Sequence, residues 1–229
     1  MAIKQITENL IQLTKFGVMN SYLVKEEDGF TVIDTGMAGM EKMIIETAKQ
    51  QGKPIKRVVL THAHSDHIGG LDPLKKALPD IEIIASEQST RFIAGDMSLE
   101  PGQANVPLKG DFPKVEARPT KTVKDNDTVG SLKVVATPGH TPGHISFFDE
   151  RDGSLIAGDA FQTLGGIAVA GVVRWLFPLP GFATWHKPTA ARSAEKLLAL
   201  NPRRLATGHG KVLENPAVAM QKAIAKAKN

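Results

Sequence analysis

Residues 62–67 read His-Ala-His-Ser-Asp-His, and no other stretch constrains the chain as strongly. Seven histidines in 229 residues would put about 0.2 of one in a six-residue window; this window holds three, with an aspartate. The group follows the short apolar run Arg57-Val58-Val59-Leu60 and precedes Gly69-Gly70. A strand therefore delivers four donor side chains into a turn beyond its carboxyl end, where open α/β sheets keep their ligands. The plain alternative is a polar turn with solvated histidines. Neutral imidazoles and carboxylates are, however, natural ligands for zinc and related ions. Four donors in six residues exceed what one small ion takes from one loop. Side chains on an irregular turn also point in different directions, so two adjacent ions fit the pattern better.

Composition narrows the chemistry. The chain has no cysteine, which excludes a disulfide framework, iron–sulfur clusters, a cysteine nucleophile and thiolate zinc sites. Any metal must be held by His, Asp, Glu or water. Hydrophobic residues are 41% and charged residues 23%, ordinary for a globular protein. A chain of this length buries enough surface to fold without a metal. No apolar run reaches the length of a membrane span, and the N-terminus does not read as a signal peptide. A cytoplasmic location with no membrane partner is expected. The net charge of +4 is spread along the chain, and there is a single tyrosine. A nucleic-acid surface needs a basic stripe with stacking aromatics, so no nucleic-acid partner is expected.

Apolar runs and turn residues predict strands at 20–25 and 30–34, a further one at 10–16, a helix over 39–51, and a strand at 57–60. A helix at 70–78 and a strand at 81–84 follow. This alternation is an α/β signature. Residues 96–113 have turn residues and no period, and read as a loop; loops that long are usually functional or mobile. The second half offers strands at 131–136, 144–149 and 154–157, with Asp152-Gly153 suited to a hairpin. A helix over 187–200, a strand at 203–206 and a helix over 216–227 complete the chain. One domain over 1–229 is expected, since no linker or low-complexity segment interrupts it.

Three more strand ends carry donors: Thr137-Pro138-Gly139-His140, Gly158-Asp159, and Thr207-Gly208-His209-Gly210. Each alone is a weak signal. Together with the first cluster they hold five of the seven histidines in one repeated strand-then-turn context. In order and spacing, this set resembles the metallo-β-lactamase superfamily, from about residue 18 to 212. The resemblance implies a four-layer αββα sandwich with the metal site at the edge between the two sheets. It implies that His62, His64 and His140 hold one ion, that Asp66, His67 and His209 hold a second, and that Asp159 bridges both. Asp34 matches a carboxylate that orients the ligand loop. His144 matches a position that is not a ligand.

Two divalent ions in such a site lower the pKa of a shared water towards 7, giving a hydroxide nucleophile. Asp66 is the catalytic candidate, placed to orient that nucleophile or to pass a proton to the leaving group. The implied activity is hydrolysis of a small lactone or ester, with thioester next; fold alone does not choose among substrates. Zinc is the first expectation, with manganese, iron or cobalt also compatible. Subfamily features narrow this. Absence of cysteine and of a signal peptide argues against secreted β-lactamases. Only 20 residues follow His209, too few for the helical substrate domain of glyoxalase II enzymes. Nucleases of the family carry larger insertions. Quorum-quenching lactonases share the paired histidines of Thr137–His144, but their tyrosine after the bridging aspartate has no counterpart in 159–163, and Tyr22 lies on an early strand. Alternatives are a mononuclear iron oxidoreductase resembling persulfide dioxygenases, a phosphodiesterase-type member, and a metal-binding module without catalysis. The partner expected is a small molecule, and a homodimer is left open.

Four further residues and one segment have more than one reading. Thr61 is expected to brace the ligand loop through hydrogen bonds, and Gly69-Gly70 to allow close packing. His186 is expected to make a local polar contact or to line the pocket. The apolar segment 164–185 contains both tryptophans and six glycines and prolines. It reads as a buried insertion, as a flap shaping an apolar substrate pocket with Trp175 in it, or as an interface.

Overall fold

In the computed structural model, which describes residues 2–228, the chain groups into two units: Met1–Asp96 with Phe112–Val123, and Met97–Asp111 with Lys124–Asn229. The first contains β1 (Ala2–Gln5), β2 (Leu10–Lys15), β3 (Met19–Lys25), β4 (Phe30–Ile33), α1 (Met40–Gln50), β5 (Ile55–Val59), α2 (Ser65–Ile68), α3 (Leu71–Ala77), β6 (Glu82–Ser86), α4 (Glu87–Ile93) and β7 (Lys121–Val123). Its seven strands lie in one sheet in chain order. Strands β1 to β4 form an antiparallel meander, and β4 to β7 pair in parallel. Parallel strands are covered on both faces and so read as unbroken apolar runs. Accordingly Val32, Val58, Val59, Ile83 and Ile84 are all fully buried. The parallel pairing of β4 with β5 puts their carboxyl ends on one edge. Asp34 leaves β4 there, and Thr61 and His62 follow β5 there.

Helix α1 matches the expected span closely and buries Met40, Met43, Ile44, Thr47 and Ala48, one stripe at helical spacing. Helix α4 was not expected. It starts at Ser86, whose hydroxyl accepts from Ser89 N–H at 3.1 Å, a cap on an otherwise unremarked segment. The loop expected over 96–113 is longer: residues 94–120 carry neither helix nor strand.

The second unit contains β8 (Thr128–Val129), β9 (Leu132–Ala136), β10 (Ile145–Asp149), β11 (Ser154–Ile156), β12 (Phe161–Gln162), β13 (Ala168–Val169), α5 (Leu179–Phe182), α6 (Lys187–Ala199), β14 (Arg204–Ala206), β15 (Leu213–Glu214) and α7 (Ala217–Lys228). Six strands form the order β15-β14-β11-β10-β9-β8, and β12 pairs with β13 separately. The expected hairpin at Asp152-Gly153 joins β10 to β11, with Asp149 opposite Ser154. Strand β10 is antiparallel to both β9 and β11, and β11 is parallel to β14. Strands β9, β11 and β14 therefore run the same way, and their carboxyl ends share an edge. The donors His140, Asp159 and His209 follow those three ends. The core of this unit joins Ala190, Ala194 and Leu197 of α6 and Met220, Ala223 and Ile224 of α7 to Leu155, Leu205 and Phe161. Each unit thus contains one large sheet and its own helices. Among the described residues, no helix is long and apolar enough to cross a membrane.

Candidate metal centre

In the first unit, a buried carboxylate organises the histidine loop. Asp34 Oδ1 accepts from Thr61 N–H at 2.7 Å; Oδ2 accepts from the Thr61 hydroxyl and from His67 Nδ1–H, both at 2.7 Å. The Thr61 proton is thereby committed to Asp34. Its oxygen, 3.0 Å from His62 Nδ1, can then only accept, so His62 also carries its proton on Nδ1. Both imidazoles are left with Nε2 as the lone-pair atom. His62 Nε2 lies 3.1 Å from His64 Nδ1, so these two nitrogens face each other. Asp66 sits on α2 with its side chain 30% exposed and Oδ2 4.0 Å from His67 Nε2. Phe112 packs edge-on against His64, with ring centres 4.8 Å apart.

The backbone pays attention to the same residues. Asp34 has φ 57°, the left-handed region that costs a non-glycine residue about 1 kcal/mol or more. The main-chain path that aims its carboxylate is thus held by the surrounding structure. Thr35 N–H and Gly36 N–H donate to the His67 carbonyl at 2.8 and 3.0 Å, tying the strand end to α2. Gly70 fits as expected: a Cβ there would stand 2.7 Å from the Thr35 carbonyl oxygen.

In the second unit, two histidines converge on one carboxylate. His209 Nε2 is 3.1 Å and His140 Nε2 is 3.5 Å from Asp159 Oδ2. His140 Nδ1 lies 3.1 Å from the buried Thr184 hydroxyl. The His209 carbonyl accepts from Thr163 and Leu164 N–H at 2.9 and 3.1 Å, which fixes the loop after β14. His144 makes a different set of contacts. Its Nε2 accepts from Asp159 N–H at 3.1 Å, and its Nδ1 is 2.8 Å from the Thr137 hydroxyl, so both nitrogens are spoken for. Thr137 continues to Ser146 at 2.9 Å, and Ser146 donates to the Ala157 carbonyl. His144 therefore holds the backbone of Asp159 in place.

The donor set fits a metal on its spacing. Nitrogen and oxygen ligands at about 2.0–2.1 Å from a tetrahedral ion stand roughly 3.3 Å from one another. The three closest facing pairs, His62–His64, His209–Asp159 and His140–Asp159, lie at 3.1, 3.1 and 3.5 Å. All six histidine and aspartate side chains concerned other than Asp66 are buried. The outward nitrogens of His62, His67 and His140 each meet an oxygen partner, as metal-ligating histidines require. All seven residues expected as ligands therefore stand within one or other of these two groups.

Other expectations resolve individually. Tyr22 is buried in β3 opposite Ile33, within the sheet. His186 precedes α6, contacts Thr189 Oγ1 at 2.8 Å, and borders an open cavity of about 410 Å³ with Gln103, Trp185 and Arg192. The local polar contact is the one expected; none of the seven donors lines that cavity. Segment 164–185 is divided: Ala168, Val169, Ala170 and Trp185 are buried, while Trp175 and Leu176 are 85% and 86% exposed. Phe177, rather than Trp175, lies against a ligand, its ring centre 4.8 Å from that of His209. Phe177 is one of the aromatics of the apolar segment, whereas Thr184 carries no sequence signal of its own, and only its contact with His140 reveals it.

Residues 14–209 match the family model of the metallo-beta-lactamase superfamily. The chain is 47% identical to the uncharacterized protein YobT of Bacillus subtilis over 95% of each chain. It is 31% identical to the probable metallo-hydrolase YflN of the same organism, covering 84% of this chain and 81% of that one. Among solved structures, the DIM-1 metallo-beta-lactamase has a TM-score of 0.74 at 17% identity, over 99% of this chain and 96% of that one. TTHA1623 in a di-iron-bound form has a TM-score of 0.64 at 24% identity, over 92% of this chain and 96% of that one. These likenesses establish the fold, and the match from residue 14 to 209 includes all seven donor residues. The chain belongs to the metallo-β-lactamase superfamily and has its fold.

Proposed function

We propose that this protein is a dinuclear metal-dependent hydrolase of small carboxylic-acid derivatives, lactones or esters first. The observation that carries the reading is the set of donor atoms facing one another in each unit, with the backing nitrogens of His62, His67 and His140 already hydrogen-bonded. In this reading His62, His64 and His140 hold one ion, Asp66, His67 and His209 the other, and Asp159 both. Two divalent ions, when bound, supply an activated water at neutral pH and a Lewis acid for the attacked carbonyl.

The chain's own residues do the rest. Asp66 is the one donor of the seven whose side chain is substantially exposed, so it can meet substrate while its neighbours cannot. It orients the nucleophile and carries a proton to the leaving oxygen. Asp34, through Thr61 and His67, holds the donor loop without reorganisation during the reaction. Phe177 gives the His209 side an apolar wall, which suits the hydrocarbon part of a lactone or ester. The exposed turn around Trp175, Leu176 and Leu179 then acts as a flap, and its closure excludes water from the reacting carbonyl.

The test is elemental analysis of the purified protein with an assay on lactones and esters of increasing chain length. Two ions per chain are expected, with zinc foremost, and His209→Ala should lose about one. The di-iron form of TTHA1623 makes the identity of the ion part of the measurement. Asp66→Ala, assayed with metal in excess, should lose roughly 10²-fold in activity. A single tightly bound iron with no second site on titration would replace this reading with the mononuclear oxidoreductase. Full activity of Asp66→Ala on adding metal would reduce Asp66 to a ligand.

A further inference from the structure

We infer that Thr184 is a positioning residue that selects which nitrogen of His140 faces the ion, and so couples α5 to the metal centre. The inference builds on the reading of His140 as a ligand. Thr184 lies between α5 and α6 and is 0% exposed. Its Oγ1 is 2.7 Å from the Pro180 carbonyl oxygen and 3.1 Å from His140 Nδ1. A carbonyl only accepts, so the single hydroxyl proton goes to Pro180. The threonine oxygen can then only accept from His140, whose Nδ1 must carry a proton. Nε2 keeps its lone pair and points toward Asp159 Oδ2.

The neighbouring contacts act on a different part of the same loop. Trp185 N–H donates to the His140 carbonyl and His186 N–H to the Gly139 carbonyl, both at 2.9 Å. Those bonds hold the backbone and are indifferent to the imidazole proton. Thr184, by contrast, meets the ring itself, at Nδ1. If its hydroxyl is removed, Nδ1–H loses its acceptor and the Pro180 carbonyl loses its donor. The tautomer protonated on Nε2 then competes, and an entering ion must displace that proton. Because Pro180 belongs to α5, whose Leu179 and Phe182 are exposed, a movement of this turn withdraws the carbonyl that commits the threonine proton. The apolar turn and the metal ligand are thus joined through one hydroxyl.

The test uses the full-length protein stripped of metal and labelled with ¹⁵N-histidine. Long-range imidazole spectra are taken above the ordinary histidine titration range, with His140 assigned by comparison with His140→Gln. Wild type and Thr184→Ser are expected to show His140 protonated on Nδ1. Thr184→Val, nearly isosteric, should shift it towards the Nε2–H form. Zinc competition against a chromophoric chelator should then show one ion weakened about 10–100-fold in Thr184→Val and little changed in Thr184→Ser. A wild-type His140 protonated on Nε2 overturns the inference without any variant. So does a Thr184→Val protein with wild-type tautomer and affinity, or a Thr184→Ser protein that loses as much as Thr184→Val, which is what a packing role would give. If the valine variant does not fold, wild type and Thr184→Ser still decide. Wild type with the Nδ1–H tautomer but no zinc binding would sink the hydrolase proposal and leave the tautomer assignment standing.

Discussion

The two units present similar donor atoms by opposite means. In the first, four donors sit within six residues of one turn, and a single buried carboxylate braces His67 directly and His62 through Thr61. In the second, three donors come from three separate strand ends, and neutral hydroxyls and backbone groups brace them. Nearness in sequence brings the first group together but gives its side chains no common direction. Asp34 supplies the direction through charge-assisted hydrogen bonds, which are roughly twice as strong as neutral ones. Strand ends running the same way already aim the second group, so weaker partners suffice. The cost of disturbing each half should differ accordingly.

The largest effect is expected at Asp34. Asp34→Ala leaves Thr61 N–H, the Thr61 hydroxyl and His67 Nδ1–H without their acceptor. A buried unsatisfied donor costs about 1–3 kcal/mol, so urea denaturation should show a loss of about 3 kcal/mol or more. Asp34→Asn should recover part of it, since asparagine tolerates the left-handed backbone and keeps one accepting oxygen. A loss in Asp34→Ala below about 1 kcal/mol would mean that the first half needs no charged brace.

Gly139→Ala tests the second half through its backbone. Gly139 has φ 140°, and a Cβ there would stand 2.3 Å from Ala190 Cα. Strain and overpacking together should cost about 2 kcal/mol or more, with loss of the ion held by His140 and retention of the other. Equal loss of both ions on chelator titration would show that the halves are not separable in this way.

The smallest effect belongs to an exposed ion pair of the second unit that is not among the donors or the groups that brace them. Asp125 accepts from Lys196 Nζ at 2.7 Å, with side chains 38% and 45% exposed. Burial opposes ionisation of Asp125, but hydrogen bonds from Lys196 and from the Ala136 N–H outweigh it and hold the carboxyl below its ordinary value. The pair's contribution is present in full above the unfolded carboxylate pKa and is lost as pH falls through the lower folded value. Asp125→Asn should therefore cost about 0.5 kcal/mol or less at neutral pH, and the difference from wild type should vanish in acid. A larger cost, or one that grows as pH falls, would contradict the contrast between braced donors and exposed pairs.

The donor residues were legible because their chemistry is carried by residue type and by position after a strand. His62 to His67 could be recognised from one window, and His140, Asp159 and His209 from Gly or Pro turns after apolar runs. The longer elements were legible for the same reason, since α1, α6 and α7 each bury a stripe at helical spacing. The two-residue strands β8, β12, β13 and β15 were not, because so short a strand exists only through its pairing.

Composition alone also left segment 164–185 open between core, flap and interface. Its tryptophans are chemically identical, yet Trp185 is buried and Trp175 is exposed. Thr184 shows the limit most clearly. One partner, Pro180, is four residues away, and the other, His140, is 44 residues away. The amino-acid sequence determines that a hydroxyl and an imidazole are present. Only the tertiary structure decides that they meet, and with Pro180 on the other side it also decides which atom gives the proton, because hydrogen-bond direction depends on all the neighbours of a group at once.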